Sequence, residues 1–352
     1  MSSPPKLRAD RASRLRAALL AWYAAEQRDL PWRRTRDAYA IWISEAMLQQ
    51  TRVATVIDYW TRFLGRFPRV QDLAAADEQD VLGLWSGLGY YSRARGLQAA
   101  AKVICERHDG RFPRTRAEAL ALPGVGEYTA GAVLSIAYDL PEPLVDGNVE
   151  RVLARLFGLP GAAGSPVLRK AAWSLAADLV PEQGAGAWNQ ALMELGAGPC
   201  SPRTPACGDC PWQRSCHAAR SGDPAAIPAP KPRKKPVDLE LEGAWIWRDG
   251  ALCLVQRPAD GPMAGLWELP TRRLTDGIGE HLWSAAWPGR LSPRLGGPAW
   301  EARHSITHHR IRMRVFPAQA ARPAGGTWFT AEELRDLAVT GLTKKALAQL
   351  LP

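Results

Sequence analysis

Leu122-Pro123-Gly124-Val125-Gly126 separates two helical runs, one ending near Ala121 and the next starting near Glu127. Glycines at 124 and 126 let the backbone turn tightly and come close to a neighbouring molecule. The helix that follows presents free N–H groups in its first turn, where a phosphate binds well. Outward from this turn, residues from about 10 to 195 keep a 3.6-residue period rich in Ala and Leu. Gly and Pro mark the breaks, at Arg66-Phe67-Pro68, Arg111-Phe112-Pro113 and Leu140-Pro141-Glu142-Pro143. The first part of the chain is therefore expected to be mainly α, built around a hairpin of two helices.

The whole chain has 352 residues, a length that suggests two domains, each able to bury a core. Its 45 Lys+Arg against 35 Asp+Glu give a formal charge of +10, which points to a polyanionic partner. Hydrophobic residues at 46% and charged residues at 23% exclude wholesale disorder. The apolar runs are short and broken by charge, so no membrane span is expected. Met1 to Arg16 is polar and basic without an apolar core behind it, so a cytoplasmic location is expected.

Ser221-Gly222-Asp223-Pro224 opens a proline-rich stretch that carries the basic run Lys231, Arg233, Lys234 and Lys235. It reads as a semi-rigid linker over 222–237, dividing a helical domain (1–221) from a second domain (238–352). Beyond it the period changes. Asp249-Gly250 signals a hairpin between two apolar-rich runs. Residues 310 to 316 alternate, with Arg310, Arg312 and Arg314 on one face and Ile311, Met313 and Val315 on the other, as in a half-buried strand. Helical segments are expected near Ala331–Leu337 and Lys344–Leu351. The second domain is expected to be α+β.

Cys200, Cys207, Cys210 and Cys216 form the pattern C-x6-C-x2-C-x5-C within the loop 200–216. Four thiolates in so short a loop, in a cytosolic chain, favour metal ligation over disulfides. One short pair with two longer arms favours a [4Fe–4S] cluster over zinc, which usually takes two short pairs. Cys105 and Cys253 lie apart and read as core residues. Two carboxylates complete the candidates. Asp146, just before a helical run reaching Phe157, reads on pattern alone as an N-cap. Glu45 falls off the apolar stripe formed by Tyr39, Trp42, Ile43, Ala46 and Met47, and reads as solvated; Leu48 falls almost opposite that stripe.

Six blocks in fixed order resemble the MutY-type adenine DNA glycosylases of the helix–hairpin–helix superfamily: Leu30-Pro31-Trp32, Trp42 to Thr51, Gly87-Leu88-Gly89-Tyr90-Tyr91, Leu122 to Gly126, Val145 to Val149 and the four-Cys loop. The resemblance covers residues from about 15 to 220, and more weakly a Nudix-like domain from Pro236 to the end. It implies a monomer acting on double-stranded DNA that carries A:8-oxoguanine or A:G mispairs. Glu45 would be the general acid protonating N7 of the flipped adenine, and Asp146 the ionised carboxylate that stabilises the cationic sugar. Arg33 and Gln190 would contact the adenine, Leu48 would line its pocket, and Gln50 and Tyr90 would enter the duplex. Gly124, Val125 and Gly126 would meet the DNA backbone. Tyr128 stands where the related endonuclease III enzymes carry a lysine, which implies a glycosylase without strong lyase activity.

In the second domain, Gly265-Leu266-Trp267-Glu268-Leu269-Pro270 resembles the start of a Nudix box, yet Thr271 to Arg290 lacks the Arg-Glu-x-x-Glu-Glu cluster that holds Mg²⁺. In the family this domain reads 8-oxoguanine through Phe-Ser-His. The aligned residues here are Ile306, Thr307 and His308: Thr keeps a hydroxyl donor and acceptor, whereas Ile loses the aromatic face. Arg310, Arg312 and Arg314 would hold adjacent phosphates or simply form a solvated face. An endonuclease III-like lyase, a Nudix pyrophosphatase with a DNA-binding appendage and a non-enzymatic DNA-binding protein are the competing readings. Tyr128 and the long C-terminal domain disfavour the first and the missing acidic cluster the second; in the third, Glu45→Ala and Asp146→Ala would leave all activity unchanged.

Overall fold

The computed structural model describes residues 7–231, 235–258, 263–274, 298–318, 326–335 and 337–351. Its contacts divide the chain into two compact units, Met1–Ala74 with Ala99–Pro232, and Ala75–Gln98 with Arg233–Pro352. The boundary at residue 232 falls inside the expected linker. The inclusion of 75–98 in the second unit is a division that a linear reading of the chain does not contain.

The helices run α1 (Ala9–Glu26), α2 (Ala38–Leu48), α3 (Val53–Arg66), α4 (Val70–Ala75), α5 (Glu78–Trp85), α6 (Ser92–Arg107), α7 (Arg116–Leu120), α8 (Glu127–Tyr138), α9 (Gly147–Phe157), α10 (Pro166–Leu179), α11 (Ala185–Ala197) and α12 (His217–Ser221). In the first unit α2 is the central element. Asp37 caps it by accepting from the N–H groups of Tyr39 and Ala40, and every residue from Ala38 to Met47 is buried. It packs on α3 and α8, and α11 packs on α1, α8 and α9. A helix apolar on all sides belongs inside a bundle, not on its surface. This overturns the reading of Glu45 as solvated, because the stripe argument assumes that one face meets water.

α7 and α8 flank the hairpin. Thr115 caps α7, and the turn passes through Gly124 at φ 74° before α8 begins at Glu127. Gly124 and Gly126 are exposed, whereas Val125 is buried beneath them. Asp139, itself left-handed at φ 55°, ends α8, and its carboxylate accepts from Gly184 N (2.9 Å) and Gly186 N (3.0 Å). A Cβ at Gly186 would lie 2.6 Å from Ser135 O, so only glycine lets α11 approach α8 this closely.

The start of the expected linker is held against the helical unit. Arg155 Nε donates to Ile227 O (2.8 Å), Ala163 N donates to Ala229 O (2.8 Å), and Ala162 and Ala229 form a parallel bridge. Arg233 and Lys234 of the basic run lie outside the described residues.

The second unit carries β1 (Val237–Trp245), β2 (Trp247–Arg248), β3 (Ala251–Gln256), β4 (Trp267–Glu268), β5 (Thr271–Arg273), β6 (Trp300–Ile306), β7 (His309–Pro317), β8 (Gly326–Thr330) and α13 (Gly341–Leu350). One sheet has the order β5-β1-β7-β6, with β1 parallel to β7; the other joins β2, β3 and β4, with β8 also paired to β3. Asp249 (φ 51°) and Gly250 (φ 81°) make the expected two-residue hairpin turn. Ile311, Met313 and Val315 point into a core shared with Leu239, Leu241, Leu252 and Leu254. Where a helix is expected near 331–337, the described residues form a 3₁₀ turn, Glu333–Arg335. The architecture is α+β. Most of the stretch where the Nudix box would continue, 275–290, lies outside the described residues. Among the described residues no helix is long and apolar enough to cross a membrane.

Candidate active site

A cavity of about 180 Å³ opens in the helical unit, and six of the residues singled out by sequence line it: Arg33, Glu45, Leu48, Tyr128, Asp146 and Gln190. They come from five parts of the bundle. Glu45 and Leu48 stand in the last turn of α2, Tyr128 in the first turn of α8, Asp146 at the start of α9, Gln190 on α11, and Arg33 in the 3₁₀ turn Pro31–Arg33.

Glu45 is 4% exposed, and the Tyr128 hydroxyl donates to its Oε2 at 2.5 Å. Burial pushes the Glu45 pKa up to about 7; the Tyr128 hydrogen bond and the Arg33 charge oppose this, and the Asp146 charge adds to it. Burial, together with the two neighbouring carboxylates, holds the Tyr128 phenol well above its usual range, so it stays a neutral donor. Asp146 caps α9: Oδ1 accepts from Val149 N (2.7 Å), and Oδ2 from the Asn148 amide (3.1 Å). Burial raises its pKa, while these hydrogen bonds and the Arg151 charge pull the other way. The N-cap reading of Asp146 therefore holds, and the same side chain also faces the cavity. One buried acid that keeps its proton near neutrality, beside a second carboxylate solvated by the protein, is the arrangement that general acid chemistry with anionic stabilisation requires.

The sign of this shift has a stability consequence. Folding raises the Glu45 pKa from 4.5 to about 7, so the folded state holds the proton more tightly and stability falls as pH rises across that window. Glu45→Gln removes the penalty. The variant is expected to gain stability over the parent by up to about 3 kcal/mol at pH 8 and little or nothing at pH 4, read by denaturant melts at the two pH values.

A wide surface groove adjoins the cavity and shares Leu48, Tyr128 and Asp146 with it; Gln50, Gly124, Gly126, Arg52, Arg169 and Lys231 also line it. Gln50 (φ 60°) is an exposed turn residue outside the cavity itself. In the second unit Tyr90 (φ 48°) is 49% exposed, and the Arg93 guanidinium lies 5.6 Å from its ring. Thr307 (φ 56°) is exposed at the two-residue turn between β6 and β7, its Oγ1 3.3 Å from His308 Nδ1. Of the three arginines read either as phosphate contacts or as a solvated face, two are ion-paired. Arg312 pairs with Glu301 (2.8 Å) and Arg314 with Glu242 (3.5 Å), so cross-strand ion pairs account for much of this face.

The four cysteines lie in a loop of 3₁₀ turns anchored by two arginines. Arg155, 2% exposed, donates to the carbonyls of Ser201 (2.7 Å) and Pro202 (2.8 Å) and to Cys200 Sγ (3.4 Å). Arg151 donates to Cys200 O at 3.0 Å. Burial raises the Cys207 and Cys210 thiols, Cys210 to about 11, and the charges of the other loop cysteines raise them further. Among the described residues no three Cys, His, Asp or Glu side chains gather tightly enough for a single metal ion. Four sulfur donors in one anchored loop are the chemistry that a thiolate-bound group would need.

Sequence reasoning missed Glu194 and Arg28. Glu194 lies one helical turn beyond Gln190 on the same face of α11, and bridges Arg28 and Arg33 in the cavity wall. Its spacing from Gln190 was the available signal.

The chain is similar to known proteins. Residues 43–177 match the HhH-GPD superfamily of base excision DNA repair proteins, and residues 243–349 match the NUDIX domain. Adenine DNA glycosylase of Rattus norvegicus is 39% identical over 94% of this chain and 76% of its own length. That of Homo sapiens is 38% identical over 94% of this chain and 72% of its own. The structure of a thermostable thymine-DNA glycosylase superposes with a TM-score of 0.55 at 32% identity, over 60% of this chain and 98% of that one. With a helical repair domain, a Nudix-like α+β domain and this likeness across nearly its whole length, the chain belongs to the adenine DNA glycosylases, enzymes of base-excision repair that hydrolyse the N-glycosyl bond of adenine.

Proposed function

We propose that this chain excises adenine mispaired with 8-oxoguanine, or with guanine, from duplex DNA, as a monomeric and monofunctional glycosylase. The observation that carries the reading is the single cavity in which Glu45, proton-bearing near neutrality, stands with Tyr128 and Asp146. The glycosidic bond is inaccessible inside the stack, so the adenosine flips out at a cost of a few kcal/mol. Leu48, Gln190 and Arg33 receive the base. Glu45 donates its proton to N7, which turns adenine into a neutral leaving group. The bond then breaks through an oxocarbenium-like state, and Asp146 stabilises the cationic sugar until water adds. No lysine is among the described residues lining the cavity, and the Tyr128 phenol cannot form a Schiff base; both support a glycosylase without strong lyase activity.

Gly124, Val125 and Gly126 would meet the DNA backbone at the start of α8. Gln50 and Tyr90, two side chains on left-handed turns, would enter the duplex near the mispair. Thr307 would accept from N7–H of 8-oxoguanine or donate to its O8. Cys200, Cys207, Cys210 and Cys216 would hold a [4Fe–4S] cluster, which would cross-link the loop 200–216. Protein purified without oxygen is expected to be yellow-brown with about four irons per chain; stoichiometric zinc instead would overturn the cluster. With DNA as substrate, the working location is the cytoplasmic nucleoid.

The functional test is incubation with duplexes carrying A opposite 8-oxoguanine, G or T, with free adenine and strand scission as readouts. Release should be fastest opposite 8-oxoguanine and slower opposite G, with strands intact until base is added. Equal release opposite all three, or scission without base, would refute the mispair or the monofunctional claim respectively.

A further inference from the structure

We propose that Glu194 is a positioning residue that clamps Arg33 on the adenine-binding wall and screens the Arg33 charge from Glu45. The proposal rests on the roles assigned above to Arg33 and Glu45.

Gln190, Met193, Glu194 and Ala197 fall at i, i+3, i+4 and i+7 on α11, and this face lines the cavity. The helix is held in place by Asn189, whose amide donates to Ser135 Oγ and to Glu142 O, both at 2.8 Å. On that fixed support the Glu194 carboxylate, its side chain 6% exposed, takes Arg28 Nε on Oε1 (2.6 Å). Its Oε2 takes both Arg28 Nη2 and Arg33 Nη2, each at 2.7 Å. Arg33 is also held by Nη1 on Arg28 O (3.0 Å) and by the Tyr23 ring, 5.4 Å from its guanidinium carbon. A guanidinium gripped by a carboxylate, a carbonyl and a ring keeps one orientation, and a base edge needs one.

The clamp is also electrostatic. Burial alone would raise the Glu194 pKa, but the hydrogen bonds from Arg28 and Arg33 outweigh it, and the group is an anion at neutral pH. Two cations and one anion leave a single positive charge on this wall; without Glu194 there would be two. Facing Glu45 are Tyr128 from α8, Asp146 at the head of α9, and Arg33. An added unscreened cation there favours the ionised form of Glu45 and weakens it as a proton donor.

Single-turnover excision by the full-length protein tests this, using Glu194→Gln, Glu194→Asp, Arg33→Ala and the double variant Arg33→Ala/Glu194→Gln. Glu194→Gln keeps the shape and loses the charge. It should lower the rate about tenfold or more, a loss consistent with misplacement of a binding group, and move the alkaline limb of the pH profile down by about half a unit. Glu194→Asp should recover part of both, and the double variant should be no slower than Arg33→Ala alone. Glu194→Gln with the parent's rate and pH limb, beside an impaired Arg33→Ala, would overturn the clamp alone. So would a rate loss with an unmoved limb that adds in full to that of Arg33→Ala, since that is a packing defect. Arg33→Ala with the parent's turnover would overturn the role of Arg33 and the clamp with it.

Discussion

Glu45→Gln is expected to cut adenine release by ~10²–10⁴-fold while duplex binding survives. Glutamine fills the same space in α2 and still accepts from Tyr128, so the cavity keeps its shape. What it lacks is a proton acidic enough to give to N7. Because Glu45 is 4% exposed, water does not replace it as the donor. The loss should appear in the chemical step under single-turnover conditions and leave the dissociation constant for the duplex within a few-fold of the parent. Near-parental turnover would remove Glu45 from the mechanism.

Asp146→Asn should lower the same rate by ~10²–10³-fold, the scale seen when a group stabilising transition-state charge is removed. Asparagine is as good an N-cap as aspartate, so α9 stays capped and the fold is kept. Asp146→Ala adds the loss of the cap, worth about 1 kcal/mol of stability. Comparing the two separates the two functions of one side chain. If Asn turns over like the parent while Ala fails, Asp146 is only a cap. If both fail in chemistry and only Ala also melts earlier, the carboxylate charge is what the reaction needs.

Features written in short, local patterns were legible before the structure. The hairpin at Leu122–Gly126, the turn at Asp249-Gly250 and the alternating strand over 310–316 depend on neighbours a few residues away, and they fold as read. The environment of Glu45 was not legible from its helix, because burial of α2 on every side is imposed by α3 and α8. The ion pairing of Glu194 was not legible for a related reason: its partners Arg28 and Arg33 lie 166 and 161 residues away in sequence. The start of the proline-rich stretch has a linker's composition, yet a backbone hydrogen bond from Ala163 and the Arg155 side chain hold it. The roles assigned to the cavity residues came from family resemblance, and the structure adds that Arg33, Glu45, Leu48, Tyr128, Asp146 and Gln190 share one cavity.

The pH dependence of the second-order rate constant for adenine excision, measured under single-turnover conditions, reports the acid on the free enzyme. Glu45 must carry its proton to act, and its pKa lies at about 7. The rate should therefore be level below that pH and fall about tenfold per unit above it, and Glu45→Gln should show no such limb in its residual activity. A rate that stays level from pH 6 to 9, or a Glu45→Gln variant that keeps the limb, would contradict the assignment of the buried Glu45 carboxyl as the proton donor.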